Sequence, residues 1–171
     1  MTVDLILTPN HLRMGAYRFP CSVGRSGLTT DKVEGDGATP IGEHRIVDML
    51  YRADRIARPC DWATPIGPND LWSDDPADIA YNSQVKVPYH HSHEALRRAD
   101  PMYDLILVTD WNYPNAHAGK GSAIFIHQWR RPRYPTAGCI AVSRANLWRI
   151  ATTIPFGCRL IIGPNNPAHR K

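Results

Sequence analysis

Fifteen prolines punctuate a chain of 171 residues. Proline fixes φ, donates no backbone hydrogen bond and breaks the interior of helices and central strands. Such a chain is expected to fold as short strands, turns and extended loops, not as an all-helical bundle. Between the breakers lie apolar, β-branched runs that read as strands near residues 3–8, 17–23, 43–48, 104–110, 122–127, 139–142 and 158–162. Tyr103-Asp104-Leu105-Ile106-Leu107-Val108-Thr109 is the strongest of them, an almost continuous apolar run of the kind found in a buried strand. Helical signals are fewer. Residues 92–98 open on Ser92 as a candidate cap. Residues 143–151 open on Ser143 and carry Leu147, Ile150 and Ala151 at helical spacing. Residues 51–90 are rich in Pro, Asp, Trp and Asn without periodicity, and read as an ordered, irregular insertion bordering a substrate groove. The reading is therefore one mainly β unit over 1–171, with neither an internal repeat nor a linker to divide it.

Length and composition narrow the function classes. The chain is long enough for a substantial core, and 43% hydrophobic with 21% charged residues is ordinary for a globular protein. A net charge of +4 is too mild to argue for nucleic acid. No apolar run approaches the length of a membrane span, about 20 residues. No secretory signal is visible at the start, which reads as strand. The four cysteines, Cys21, Cys60, Cys139 and Cys158, lack CxxC spacing, which argues against a zinc ribbon or a redox pair. Cys21, Cys60 and Cys158 read as buried apolar thiols, with a Cys21–Cys158 disulfide left open. His90, His91 and His93 cluster, but no Cys or carboxylate at ligand spacing completes a metal site, so no metal is expected.

The chemistry concentrates between residues 121 and 143. His127 ends an apolar strand, and Cys139 begins another twelve residues later, after a Pro-rich loop. A thiol needs a neighbouring base to act as a nucleophile near neutral pH, and a loop of that length lets two strand ends meet. Gly138 permits a tight backbone approach. It also lets the N–H groups of Gly138 and Cys139 converge on an oxyanion. The helix starting at Ser143 would add positive potential from its N-terminus. A cysteine that opens a buried strand is, on its own, more often inert core.

The motif Thr136-Ala137-Gly138-Cys139-Ile140, with His127 upstream at a strand end, resembles the catalytic motif of the L,D-transpeptidase (YkuD) family. A second block, Gly35 to Ile46 around Thr39-Pro40-Ile41-Gly42, resembles that family's Thr-Pro-x-Gly segment, and Cys21-Ser22-Val23-Gly24 resembles its strand ending in Gly. The blocks stand in family order and span most of residues 3–163. Two positions depart from the pattern. Ala137 stands where many members have His, and Ala141 where many have Arg, which marks a divergent branch and leaves His127 as the one base near the cysteine in sequence.

The resemblance implies a mixed β-sheet or sandwich with a few short helices. It also implies a cysteine acyltransferase of cell-wall biogenesis acting on peptidoglycan stem peptides as donor and acceptor. Cys139 would be the nucleophile and His127 the base. The products would be crosslinks, at the usual third or at an unusual first stem position. Trimming by an L,D-carboxypeptidase and an inactive peptidoglycan- or partner-binding module are the alternatives. A monomer in the periplasm or cell envelope is expected, with a cytoplasmic location left open by the missing signal.

Other candidates flank this pair. Tyr134, Arg131, Thr136 and Trp129 are the candidate substrate contacts. Pro132 and Pro135 could stiffen a lid, and Arg130, Arg131 and Arg133 could pair with carboxylates or simply form a solvated basic face. Asp110, Asn112 or a backbone carbonyl could orient His127. Asp74 and Asp75 beside Trp72, and Tyr81-Asn82, read more readily as turns than as sites. Thr39, Pro40 and Gly42 read as structural.

Overall fold

The computed structural model describes residues 3–163; the outermost residues of the expected 1–171 unit lie outside them. It is mainly β. One sheet of nine strands runs, edge to edge, through Leu105–Thr109, Phe125–Gln128, Ile140–Val142, Tyr17–Ser22, His11–Met14, Leu5–Leu7, Arg159–Ile162, Gly42–Tyr51 and Thr64–Pro65. Leu105–Thr109 pairs with Phe125–Gln128 on one side and with Gly42–Tyr51 on the other, so the sheet closes on itself. Gly42–Tyr51 makes that closure possible by its length. Its first residues pair with Arg159–Ile162 and its later ones with Leu105–Thr109. The sheet is mixed: the pairings of Leu5–Leu7 with Arg159–Ile162 and of Phe125–Gln128 with Ile140–Val142 are parallel.

Alternation along these strands sorts side chains into two cores. Leu105, Leu107, Ile126, Ile140 and Met49 enter the larger core. It is closed by the helix Arg144–Ala151, which contributes Leu147, Ile150 and Ala151. Ser143 caps that helix, its hydroxyl accepting the Asn146 N–H at 3.3 Å. Ile106, Val108, Phe125, Cys139 and Leu50 face the opposite way, into a second core with Trp72, Leu96 and Tyr103. Cys139 thus belongs to the second core and the helix to the first, which sets the expected helix N-terminus across the strands from the thiol.

The second core is covered by the segment expected to be irregular. Asp70–Ser73, Gln84–Lys86 and His93–Ala95 form a three-stranded antiparallel sheet centred on Asp70–Ser73. Of residues 92–98, expected to be helical, His93–Ala95 form a strand and none is helical. Helix propensity there loses to pairing with residues 71–73. Exposure alternates along the segment, with His93, Ala95 and Arg97 outward and Leu96 fully buried. The strand His11–Met14 was not apparent from sequence, because its four residues alternate only two apolar side chains with two polar ones.

Asn82 clamps the small sheet to the large one. Its Oδ1 accepts the Trp72 indole N–H at 3.0 Å and the Ala123 N–H at 2.9 Å, and its Nδ2 donates to the carbonyls of Trp111 and Asn112. All of its hydrogen-bonding capacity is used in a buried position. All four cysteines are free thiols, so the Cys21–Cys158 bridge left open above is not formed. Among the described residues no helix is long and apolar enough to cross a membrane.

Candidate active site

The turn before Cys139 is knotted by its own side chain. Thr136 Oγ1 accepts the Gly138 N–H at 3.1 Å and donates to the Cys139 carbonyl at 2.6 Å. Gly138 holds φ at +147°, and a Cβ there would stand 3.0 Å from the Ala38 carbonyl oxygen. The upstream block grips the same turn. Thr39, fully buried, donates its hydroxyl to the Gly138 carbonyl at 2.7 Å and accepts the Gly24 N–H at 2.9 Å. Gly24 is required by packing, since a Cβ would fall 2.3 Å from the Gly37 carbonyl oxygen. The two sequence blocks are thus the two halves of one support beneath the cysteine.

Cys139 Sγ donates to the Ala123 carbonyl at 3.0 Å and receives the Phe125 N–H at 3.4 Å. Ala123 holds φ at +52°, a left-handed conformation that costs an L residue roughly 1–2 kcal/mol. Asn82 fixes it there through its N–H, so the strain is held at the residue whose carbonyl takes the thiol proton. Burial pushes the Cys139 thiol up to about 12, with the negative charge of Glu94 adding to it and the Phe125 N–H and Lys32 opposing.

His127 lies on the same face. It pairs with Ala141 across the parallel ladder while Ile126 pairs with Ile140, which leaves Phe125, His127, Cys139 and Ala141 pointing to one side. Its Nδ1 stands 2.7 Å from the Gln128 carbonyl. A carbonyl only accepts, so Nδ1 carries the proton and Nε2 is left as the basic lone pair. Burial pulls its pKa down to about 4; the Gln128 carbonyl partly opposes this, and the Arg98 charge adds to the lowering. Of the three groups considered for orienting it, the backbone carbonyl is the one in contact. Asp110 accepts the Arg45 N–H, and Asn112 Nδ2 donates to the carbonyls of His117 and Gly121.

Both side chains open on a cleft of about 590 Å³. Of the candidate substrate contacts, Tyr134, Thr136 and Trp129 line it. Arg131 does not. Its guanidinium lies over the Tyr134 ring, 4.4 Å from the centroid, while Arg130 lines the cleft. Thr136 has both bonds of its hydroxyl turned inward to the Cys139 turn, so its side chain builds the wall. Of the two N–H groups expected to face an oxyanion, that of Gly138 is taken by Thr136.

The opposite wall holds residues the sequence did not single out: Glu94, Arg98 and Tyr103. The Tyr103 hydroxyl donates to Glu94 Oε2 at 2.5 Å, its ring meets the His127 imidazole edge-on at 5.4 Å, and Arg98 lies over it at 5.2 Å. No motif marks them, because Glu94 and Tyr103 reach Cys139 only through the small sheet and the short turn Pro101–Tyr103.

The other candidates have local partners. His91 faces Asp75 and Asp78, and His93 Nδ1 stands 2.7 Å from the His91 carbonyl. Among the described residues no group of three or more His, Cys, Asp or Glu is arranged to hold a metal ion. Asp75 accepts the Ala77 N–H, as an acidic turn does. The Tyr81 hydroxyl donates to Glu34.

A family model described as the L,D-transpeptidase catalytic domain, YkuD, matches residues 9–162. No curated protein matches the chain.

Proposed function

The chain belongs to the L,D-transpeptidase catalytic-domain family, whose members are peptidoglycan enzymes, and on that premise we propose that it forms crosslinks between stem peptides through a thioacyl intermediate on Cys139. The observation that carries this reading is the pairing of a cysteine and a histidine on one strand face in one cleft, with the histidine's Nδ1 held on a carbonyl and its Nε2 left basic.

At rest both groups are neutral near pH 7, because the thiol is pushed up to about 12 and the imidazole down to about 4. The thiol proton is committed to Ala123. In this reading the proton leaves sulfur for His127 Nε2 as sulfur attacks the donor carbonyl, so no thiolate accumulates beforehand. The oxyanion falls to the Cys139 N–H, since that of Gly138 already has an acceptor. His127 then protonates the leaving amine, and the second stem peptide takes the acyl group by its own amine. Tyr134, Trp129 and Arg130 line the route for the peptides. The chemistry calls for no metal or organic cofactor, and a peptidoglycan substrate implies work in the cell envelope.

The test is incubation of the purified protein with muropeptides and mass spectrometry of the products, with Cys139→Ala alongside. Dimers that require Cys139 are expected, and fragmentation of the dimer reads the stem position of the bond. Shortened monomers without dimers would make the protein a carboxypeptidase. Unchanged muropeptides, or dimers formed equally by Cys139→Ala, would overturn the assignment.

A further inference from the structure

The cleft carries charge of both signs, and Glu94 is the carboxylate among its lining residues. Arg25 and Arg130 stand near the Tyr134 loop, and Glu94 stands across from them, with Arg98, itself paired with Asp100, on its own side. Glu94 is the middle residue of His93–Ala95 and pairs across the ladder with Trp72. Trp72 is buried edge-on against Phe125 at 5.0 Å. That register turns Glu94 toward the second core and the face that carries Cys139. Its hydrogen bond from Tyr103 holds the carboxylate in place, and Tyr103 in turn packs on His127. The charge of Glu94 is felt at Cys139, where it raises the thiol pKa. Burial likewise raises the pKa of Glu94 itself; the Tyr103 hydrogen bond and the Arg98 charge oppose this, and the charges of Asp74 and Glu34 add to it.

For acylation this carboxylate is a hindrance, since it opposes negative charge on sulfur. Its use lies in the second half of the reaction. An aliphatic amine arrives at neutral pH as ammonium, which has no lone pair and cannot attack. A carboxylate in a largely buried site attracts that cation strongly, and a carboxyl whose pKa is raised is a better proton acceptor.

Resting on the crosslinking reading above, we propose that Glu94 receives the ammonium group of the acceptor and takes the proton it must lose before it attacks the thioester on Cys139. The freed amine forms the C–N bond and the C–S bond breaks. The second proton of the nitrogen passes through His127 to the departing sulfur. The products are the amide, the neutral Cys139 thiol and one proton on Glu94, which goes to solvent. Water carries no charge for Glu94 to attract, so the carboxylate concentrates the cationic amine over water and favours crosslinking over hydrolysis.

Glu94→Gln keeps the shape and the acceptor for Tyr103 but removes the charge. With donor and acceptor stem peptides, the ratio of crosslinked dimer to hydrolysed monomer is expected to fall at least tenfold in Glu94→Gln and to recover in part in Glu94→Asp. An unchanged ratio overturns the inference. A binding arm is independent of turnover: Cys139→Ala is titrated with Nα-acetyl-lysine methylamide and with its Nε-acetylated form. The cationic ligand is expected to bind at least fivefold more weakly once Glu94→Gln is added, and equal binding overturns the inference. Should the wild type form no acyl-enzyme while amine binding depends on Glu94, the crosslinking reading falls and the amine site stands. Should acylation proceed with a ratio indifferent to Glu94, the amine site falls and the crosslinking reading stands.

Discussion

A buried thiol pushed up to about 12 and an imidazole pulled down to about 4, on one strand face and in one cleft, are an unreactive pair until something enters the cleft. This differs from cysteine sites that rest as a thiolate–imidazolium pair. The neutral pair has a clear signature in pH. His127 is competent as a base wherever it is unprotonated, so kcat/KM for acylation is expected to stay level from pH 7 down to about 5 and to fall roughly tenfold per unit below about 4. Intact-mass measurement of the acyl-enzyme across that range checks it. An acid limb centred near the ordinary histidine value would show that His127 is not buried in the working enzyme. Cys139 and His127 were legible in the sequence because the turn that presents the cysteine is local: Thr136, Gly138 and Cys139 bond within four residues. The carbonyl that holds His127 is that of the next residue, Gln128, and a backbone group leaves no trace in residue identity. Glu94, Arg98 and Tyr103 were illegible for another reason, since only tertiary pairing brings them to the thiol.

At the scale of elements, Leu105–Thr109 and Phe125–Gln128 could be read directly because their apolar runs are buried on both faces by the two cores. The small sheet could not. His93–Ala95 contains no strong strand former, and it is extended because residues 71–73 supply the partner. Asn82 is the joint between this sheet and the active-site strands, and it is replaceable by neither an apolar nor a smaller side chain without leaving buried N–H and C=O groups unpaired. Asn82→Ala is expected to cost on the order of 3 kcal/mol in a urea titration, by the usual range for breaking a buried polar network. It should also lower the acylation rate, because Ala123 loses the bond that holds its strained backbone against the thiol. A stability loss under about 0.5 kcal/mol, the range of surface changes, would mean that the joint lies elsewhere.

The whole molecule carries the cost of this site in its response to acid. His127 is buried and neutral, with a pKa near 4 in the folded chain against about 6.5 when unfolded. Below pH 6.5 the unfolded chain binds a proton there that the folded chain does not. Folding is therefore penalised as pH falls through the interval from 6.5 to 4, and the penalty levels off below the folded-state value. His44, also buried with a lowered pKa, acts in the same direction. Glu94 and Asp48, whose carboxyls are raised by burial, act the other way: the folded chain takes up their protons first, which relieves it as pH falls. Absolute stability thus mixes opposing contributions, and the histidine is isolated by difference. His127→Gln removes one titration and leaves the others. From pH 7 to pH 4 the wild type is expected to lose about 3 kcal/mol more than this variant, the free-energy equivalent of the interval between the two pKa values. Urea titrations of both proteins at the two pH values measure it. Parallel curves would mean that His127 is solvated in the folded chain. The same result would remove the ground for a neutral resting pair, and the mechanism would then have to start from a charged one.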